Sequence, residues 1–155
     1  MSGSESTLGP EPRRVLFACT RNTIRSPMAA ALMQLRFGPM VEVESVGVRP
    51  GEEGADPMAV AVMDEAGVDI SRHRPRGFGA LDEDARFDLV ISLSPEAHHH
   101  ALALVPERAE AAEYWPTFDP SLAEGSREQR LMEYREVRKA LESRIAKRFA
   151  RPSTG

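Results

Sequence analysis

Residues 15–32 read VLFACTRNTIRSPMAAAL: an apolar run ending on Cys19, a polar stretch, an arginine, a Ser-Pro pair and then strong helix formers. The apolar segment RRVLFA (13–18) has the length and composition of a buried strand. Ser26 is expected to cap the following helix, with Pro27 in its first turn, good helix formers through about Phe37 and Gly38 closing it. Cys19 is the only cysteine in the chain, so it cannot form an intramolecular disulfide. Its place is a strand end, with a loop leading into a helix N-terminus. Such a terminus aims unpaired N–H groups and the positive end of its dipole at what precedes it, which binds an anion and favours a thiolate. Arg25 strengthens that setting, because its planar fork can hold two oxygens of a tetrahedral oxyanion. The Ser26 hydroxyl can donate to the sulfur, and Asn22 suits a tight loop because it tolerates left-handed backbone geometry. A lone cysteine is more often a small buried hydrophobe. The strand before it, C-x-x-x-x-x-R-S-P across it and the helix after it together favour a nucleophile in a phosphate cradle.

Outward from this unit, the same alternation repeats. VEVESVGV (41–48) reads as a strand, and Asp56-Pro57 opens a helix that ends at Gly67. RFDLVISL (86–93) is a third strand, and Ser94-Pro95 starts a third helix. A short fourth strand is expected at 112–115. Ser126 to Gln129 form a capping box, followed by Tyr134, Val137, Leu141, Ile145 and Phe149 at helical spacing. Strands alternating with helices imply right-handed crossovers, and hence a single α/β three-layer sandwich: a central four-stranded parallel sheet with helices on both faces. Ligands bind beyond the carboxyl ends of such strands, where Cys19, the 49–55 loop, Ser94 and the 116–125 loop should gather.

A chain of 155 residues, 41% hydrophobic and 28% charged, fits one soluble domain, expected over 13–150, with a leader at 1–12 and a tail at 151–155. The leader lacks the basic and apolar regions of a signal peptide, and no apolar run could cross a bilayer, so the expectation is a cytoplasmic protein without membrane partners. A net charge of -4 argues against a nucleic-acid partner. Arg21, Arg25, Arg49, Arg72, Arg74 and Arg76 instead suggest a small anion site in an acidic body. No cofactor or metal is expected: one cysteine excludes multi-cysteine sites, and consecutive His98, His99 and His100 on a helix point about 100° apart. Nothing fixes the oligomeric state, and a monomer is the default expectation.

On Cys19 to Pro27, CTRNTIRSP, the chain resembles the low-molecular-weight protein tyrosine phosphatases and their relatives, the thiol-dependent arsenate reductases. The resemblance continues through Glu44-Ser45-Val46-Gly47, Gly67-Val68-Asp69-Ile70 with His73, and the late Asp119-Pro120, covering roughly Arg13 to Phe149. It implies that Cys19 takes the phosphoryl group as a cysteinyl phosphate. Arg25 and the N–H groups of Thr20, Arg21, Asn22, Thr23, Ile24 and Ser26 would hold the oxyanion, a phosphate or sulfate type of ligand. Asp119, before Pro120, would be the general acid and then the base. Asn22, Ser26, Ser45 and His73 would form a supporting network. Taken alone, Asp119 reads as a turn former, His73 as a surface histidine and Ser45 as an ordinary strand residue.

Departures from the family bear on the substrate, which is expected to be a phosphorylated protein or a small phosphate ester. Where tyrosine-specific members hold a phenyl ring between aromatic residues, this sequence carries Arg49-Pro50 and Ser121-Leu122, so phosphotyrosine is not expected to be the best substrate. Thr23 matches the phosphoarginine-phosphatase branch at one position. Arg21 replaces a usual glycine, and its charge on the rim can recruit a second anionic group. Ile24 stands where many members have a second cysteine, which leaves Cys19 without a disulfide rescue from oxidation. Arsenate reduction would therefore need an external low-molecular-weight thiol, and a non-catalytic anion-binding module would need only the arginine and the N–H groups.

Overall fold

Val15, Phe17 and Cys19 of strand β1 (Arg14–Cys19) pack on one side of the sheet, and Leu16 and Ala18 on the other, all of them buried. A strand buried on both faces must sit inside a sheet that is covered twice. In the computed structural model, which describes residues 12–149, β1 lies between β2 (Glu42–Gly47) and β3 (Phe87–Ser92), with β4 (Ala109–Tyr114) beyond β3. All pairs are parallel and the order is β2-β1-β3-β4. The register sets Cys19 opposite Gly47 and Ala18 opposite Ser92. Helices α1 (Arg25–Phe37), α2 (Pro57–Glu65) and α4 (Arg127–Arg148) cover the Phe17 face. Helix α3 (Pro95–Leu102) and the segment 78–85 cover the other. This is the expected three-layer sandwich. The expected leader up to residue 11 and the tail lie outside the described residues. No helix among the described residues is long and apolar enough to cross a membrane.

Local capping signals held at the starts of three helices. Asp56 accepts from Met58 N (2.8 Å) and Ala59 N (3.3 Å), and Ser94 from Ala97 N (3.3 Å), as caps of α2 and α3. The α4 capping box is complete: Ser126 Oγ accepts from Gln129 N at 3.1 Å, and Gln129 Oε1 from Ser126 N at 2.7 Å. Tyr134, Val137, Leu141, Ile145 and Phe149 then bury their stripe against the core. Helix α2 ends at Glu65, and Gly67 takes φ +79°, a left-handed value that glycine adopts freely.

Two expectations are corrected. Ser26 does not cap α1: the helix begins at Arg25, Ile24 holds the capping position without a side-chain bond, and the Ser26 hydroxyl turns to the Cys19 sulfur instead. The fourth strand runs over 109–114 and not 112–115; AEAAEY has no apolar alternation to announce it, and pairing with β3 sets its extent. Trp115 leaves the strand and buries edge-on against Phe17, with ring centroids 6.1 Å apart.

Ser126→Ala should lower stability by about 1 kcal/mol in urea denaturation. An unchanged midpoint would show that packing of the α4 stripe alone holds the start of that helix.

Candidate active site

The residues after β1 turn back around the Cys19 sulfur. Sγ accepts from Asn22 N at 3.3 Å and from Ser26 N at 3.4 Å, and the Ser26 hydroxyl lies 2.9 Å away. The two backbone N–H groups face the sulfur as donors, and in the third contact either Sγ or the Ser26 hydroxyl can donate. The turn requires Asn22 at φ 60°, the only positive φ of a non-glycine among the described residues. Its side chain repays that conformation. Asn22 is fully buried; Nδ2 donates to Ser26 Oγ (2.8 Å) and Ser45 Oγ (3.0 Å), and Oδ1 accepts from Arg76 N (2.9 Å). His73 Nε2 donates to the Asn22 carbonyl at 2.8 Å. Burial holds the His73 imidazole below its ordinary pKa, outweighing the opposing pull of the carbonyl. Arg76 is in turn held by Glu44 at 2.5 Å, which also takes Arg14 at 2.7 Å. Burial pushes the Glu44 carboxyl up, but the two guanidinium groups outweigh it and hold the carboxyl below its usual range.

The 48–56 segment is laced to the same loop through backbone bonds. Val48 N donates to Cys19 O (3.1 Å), Arg49 N to Thr20 O (2.8 Å), Gly51 N to Arg21 O (3.0 Å) and Asp56 N to Thr23 O (3.0 Å). Gly47 permits this approach: a Cβ there would stand 2.7 Å from Asn22 N, 2.8 Å from Arg21 C and 2.9 Å from Thr20 O.

Above the sulfur lies a cavity of about 120 Å³ lined by Cys19, Arg21, Thr23, Ile24, Arg25, Asp56, Asp119 and Ser121. Arg25 is buried; Nη1 donates to Thr117 O at 3.1 Å, and Nη2 lies 3.9 Å from Asp119 Oδ2. Asp119 Oδ1 accepts from Ser121 N (3.0 Å) and Ser121 Oγ (2.7 Å), which leaves Oδ2 as the oxygen on the Arg25 side. Pro120, buried, starts the short 3₁₀ turn 120–122 that carries Ser121. Asp56 shares its carboxylate between the α2 cap and Tyr134 Oη, 3.1 Å away; burial and the facing carboxylate push the Tyr134 phenol upward. A groove of about 370 Å³ between Trp115–Phe118 and α4 is larger, but Cys19 is not among the residues that line it.

Most of the residues anticipated from sequence therefore converge. Cys19, Arg21, Thr23, Ile24, Arg25 and Asp119 line the cavity, while Asn22, Ser26, Ser45 and His73 brace it from behind. The Thr20 side chain is not part of that lining; its hydroxyl donates to Ser94 Oγ at 3.1 Å and ties the loop to α3. The arginine cluster is also narrower than expected. Arg49 pairs with Glu96, Arg76 serves the loop through Glu44, and Arg72 and Arg74 are exposed away from the cavity, so only Arg21 and Arg25 line it. Of the histidine triplet, His99 and His100 are exposed, but His98 bonds Ser92 Oγ at 2.8 Å and stacks on Tyr114. Sequence reading missed Asp56, Ser121, Tyr134 and the Thr117 carbonyl. The Asp56-Pro57 cap, placed after β2 on the edge that carries Cys19, was the available signal.

These features define a class: an α/β protein with a thiol faced by backbone N–H donors at the carboxyl edge of its parallel sheet. Comparison with known proteins gives the particular family. The family model described as low molecular weight phosphotyrosine protein phosphatase matches residues 14–151, and the chain belongs to that family. It is 34% identical over 140 residues to an arsenate reductase of Bacillus licheniformis, covering 89% of this chain and 95% of that protein. It is 37% identical over 122 residues to a low molecular weight protein-tyrosine-phosphatase of Streptomyces coelicolor, covering 72% and 73%. A solved arsenate reductase in the phosphate binding state superposes with a TM-score of 0.71 at 30% identity, over 91% of this chain and 99% of the other.

Gly47→Ala should distort the loop, because backbone atoms cannot move aside as a flexible side chain can. Calorimetry should show phosphate affinity falling at least about tenfold, and wild-type affinity would refute the close-approach argument. His73 gives a pH signature. Its lowered pKa means that the unfolded chain takes up the proton more readily, so its stabilisation is present above the ordinary value of about 6.5 and is lost as pH falls below it. Between pH 7.5 and 5.5, wild type should lose more stability in urea than His73→Gln; equal losses would rule out this titration.

Proposed function

We propose that the chain hydrolyses phosphate monoesters through a cysteinyl phosphate at Cys19. The observation that carries this reading is the meeting of Cys19, Arg25 and Asp119 at one small cavity, with Asn22 N, Ser26 N and the Ser26 hydroxyl aimed at the sulfur. The Cys19 thiolate attacks phosphorus as the ester oxygen departs on the opposite side. Arg25 and the loop N–H groups take the charge on the equatorial oxygens, which is greatest in the transition state. Asp119 protonates the leaving oxygen, then removes a proton from the water that attacks the phosphocysteine and frees the thiolate. Ser121 supports this role by holding Asp119 Oδ1 while Oδ2 stays near Arg25. A binding module would need no carboxylate opposite its anion.

The cavity walls favour a compact polar ester over a phenyl ring. Ile24 is the one apolar side chain beside the thiol, Arg49 is drawn to Glu96, and Ser121 stands where a ring would need a stacking partner. The second reading is arsenate reduction, favoured by the likeness to proteins named arsenate reductase. The same cavity would accept arsenate, but with Ile24 beside Cys19 and no other cysteine in the chain, an external thiol would have to resolve the cysteinyl arsenate.

Hydrolysis of p-nitrophenyl phosphate should vanish in Cys19→Ser. In Asp119→Asn it should fall roughly 10²-fold, and further with an alkyl phosphate, whose leaving oxygen needs the proton more. Unchanged turnover in Cys19→Ser would refute the covalent mechanism. Phosphotyrosine peptides, phosphoarginine and arsenate with added thiols complete the panel, and arsenate reduction without ester hydrolysis would favour the second reading.

A further inference from the structure

Of the cations near the phosphate loop, Arg25 faces Thr117 O and Asp119, Arg49 pairs with Glu96, and Arg14 and Arg76 share Glu44. Arg21 differs. It is exposed, and among the described residues no carboxylate lies within ion-pairing distance of its guanidinium. It lines both the thiol cavity and the adjoining recess of about 630 Å³ formed by residues 49–57. Gly51 shapes its seat: the Gly51 N–H donates to Arg21 O at 3.0 Å, and a Cβ on Gly51 would stand 3.4 Å from Arg21 Nη2 and 2.8 Å from Thr23 Cγ2. The guanidinium thus lies against a position without a side chain, at the passage from cavity to recess. The carboxylates facing the cavity are otherwise engaged, Asp56 by the α2 cap and Tyr134, and Asp119 by Ser121 and Arg25. Glu52 and Glu53 line the outer recess, yet neither pairs with Arg21.

We infer that Arg21 is a specificity-determining residue, selecting phosphate monoesters that carry a second oxyanion close to the ester bond. The inference rests on the hydrolytic reading of the same site. A phosphoryl group seated over Cys19 leaves the rest of its ester to emerge past Arg21 and Ser121 into the recess. A phenyl ring finds no aromatic wall on that path, whereas a carboxylate or second phosphate meets a planar fork of donors suited to bidentate binding. The contact is solvent-exposed, so its effect is modest and salt-sensitive, about fivefold at low ionic strength.

The test compares phenyl phosphate with 3-carboxyphenyl phosphate in wild type and Arg21→Gln. Each protein supplies its own kcat/KM ratio, so a general loss of activity in the variant cancels. Dissociation constants for the same two esters are measured by calorimetry in Cys19→Ser, with and without Arg21→Gln. The carboxylated ester should be favoured about fivefold with Arg21 present, lose that advantage in Arg21→Gln, and lose most of it in about 0.5 M salt. A ratio that is the same in both proteins overturns the inference while leaving hydrolysis intact. Selective binding without turnover of either ester supports the Arg21 subsite and counts against the hydrolytic reading alone. Absence of both binding and turnover overturns both.

Discussion

The Cys19 sulfur accepts hydrogen bonds where a capping side chain would ordinarily accept them. At the start of α1, Ser26 N and the Ser26 hydroxyl converge on Sγ, and Asn22 N closes the ring from the loop side. One atom thereby satisfies orphan donors of a helix terminus and borders the cavity lined by Arg25 and Asp119. The rest of the molecule serves to keep it there. Strand β1 brings the sulfur to the sheet edge, and α1 fixes the donors behind it. The 48–56 segment is bonded to the loop four times through backbone.

Asn22 is the costly part of that arrangement. A fully buried amide in a left-handed conformation destabilises unless each of its polar groups finds a partner. Here Ser26, Ser45, Arg76 and His73 provide them. The network reaches outward through Arg76 to Glu44 and Arg14, joining β1, β2 and the 71–77 segment. Removal of one member leaves the others buried without a partner, so such networks fail as units.

On the opposite wall, Asp119 and Arg25 come from segments 94 positions apart in sequence. Their 3.9 Å approach depends on the 116–122 loop folding back over the sheet edge, with the Thr117 carbonyl docking the guanidinium. Trp115, buried against Phe17, anchors the start of that loop. Core packing and the geometry of the site are in this sense one problem.

The loop around Cys19 was legible because its frame is local: a strand end, a turn and a helix start lie within residues 15–32, and the Asn22 and Ser26 N–H groups donate to a sulfur 3 and 7 positions away. The strand-helix alternation was legible because period and caps are local as well. Ser26 misled as a cap because sequence shows that a hydroxyl is available, not that a sulfur will compete for it. The fourth strand was misplaced because its extent follows from pairing with β3 and not from its own pattern. Asp56, Ser121, Tyr134 and the Thr117 carbonyl reach the site only when distant loops meet at the sheet edge, and Arg49 was removed from it by Glu96 on another element. By itself the sequence determined the fold class and the strand-loop-helix frame around Cys19, since both rest on short-range patterns. Only the tertiary structure decided which side chains wall the cavity and which charge, among the described residues, is left without a carboxylate partner at its rim, because those depend on contacts between segments with no relation along the chain.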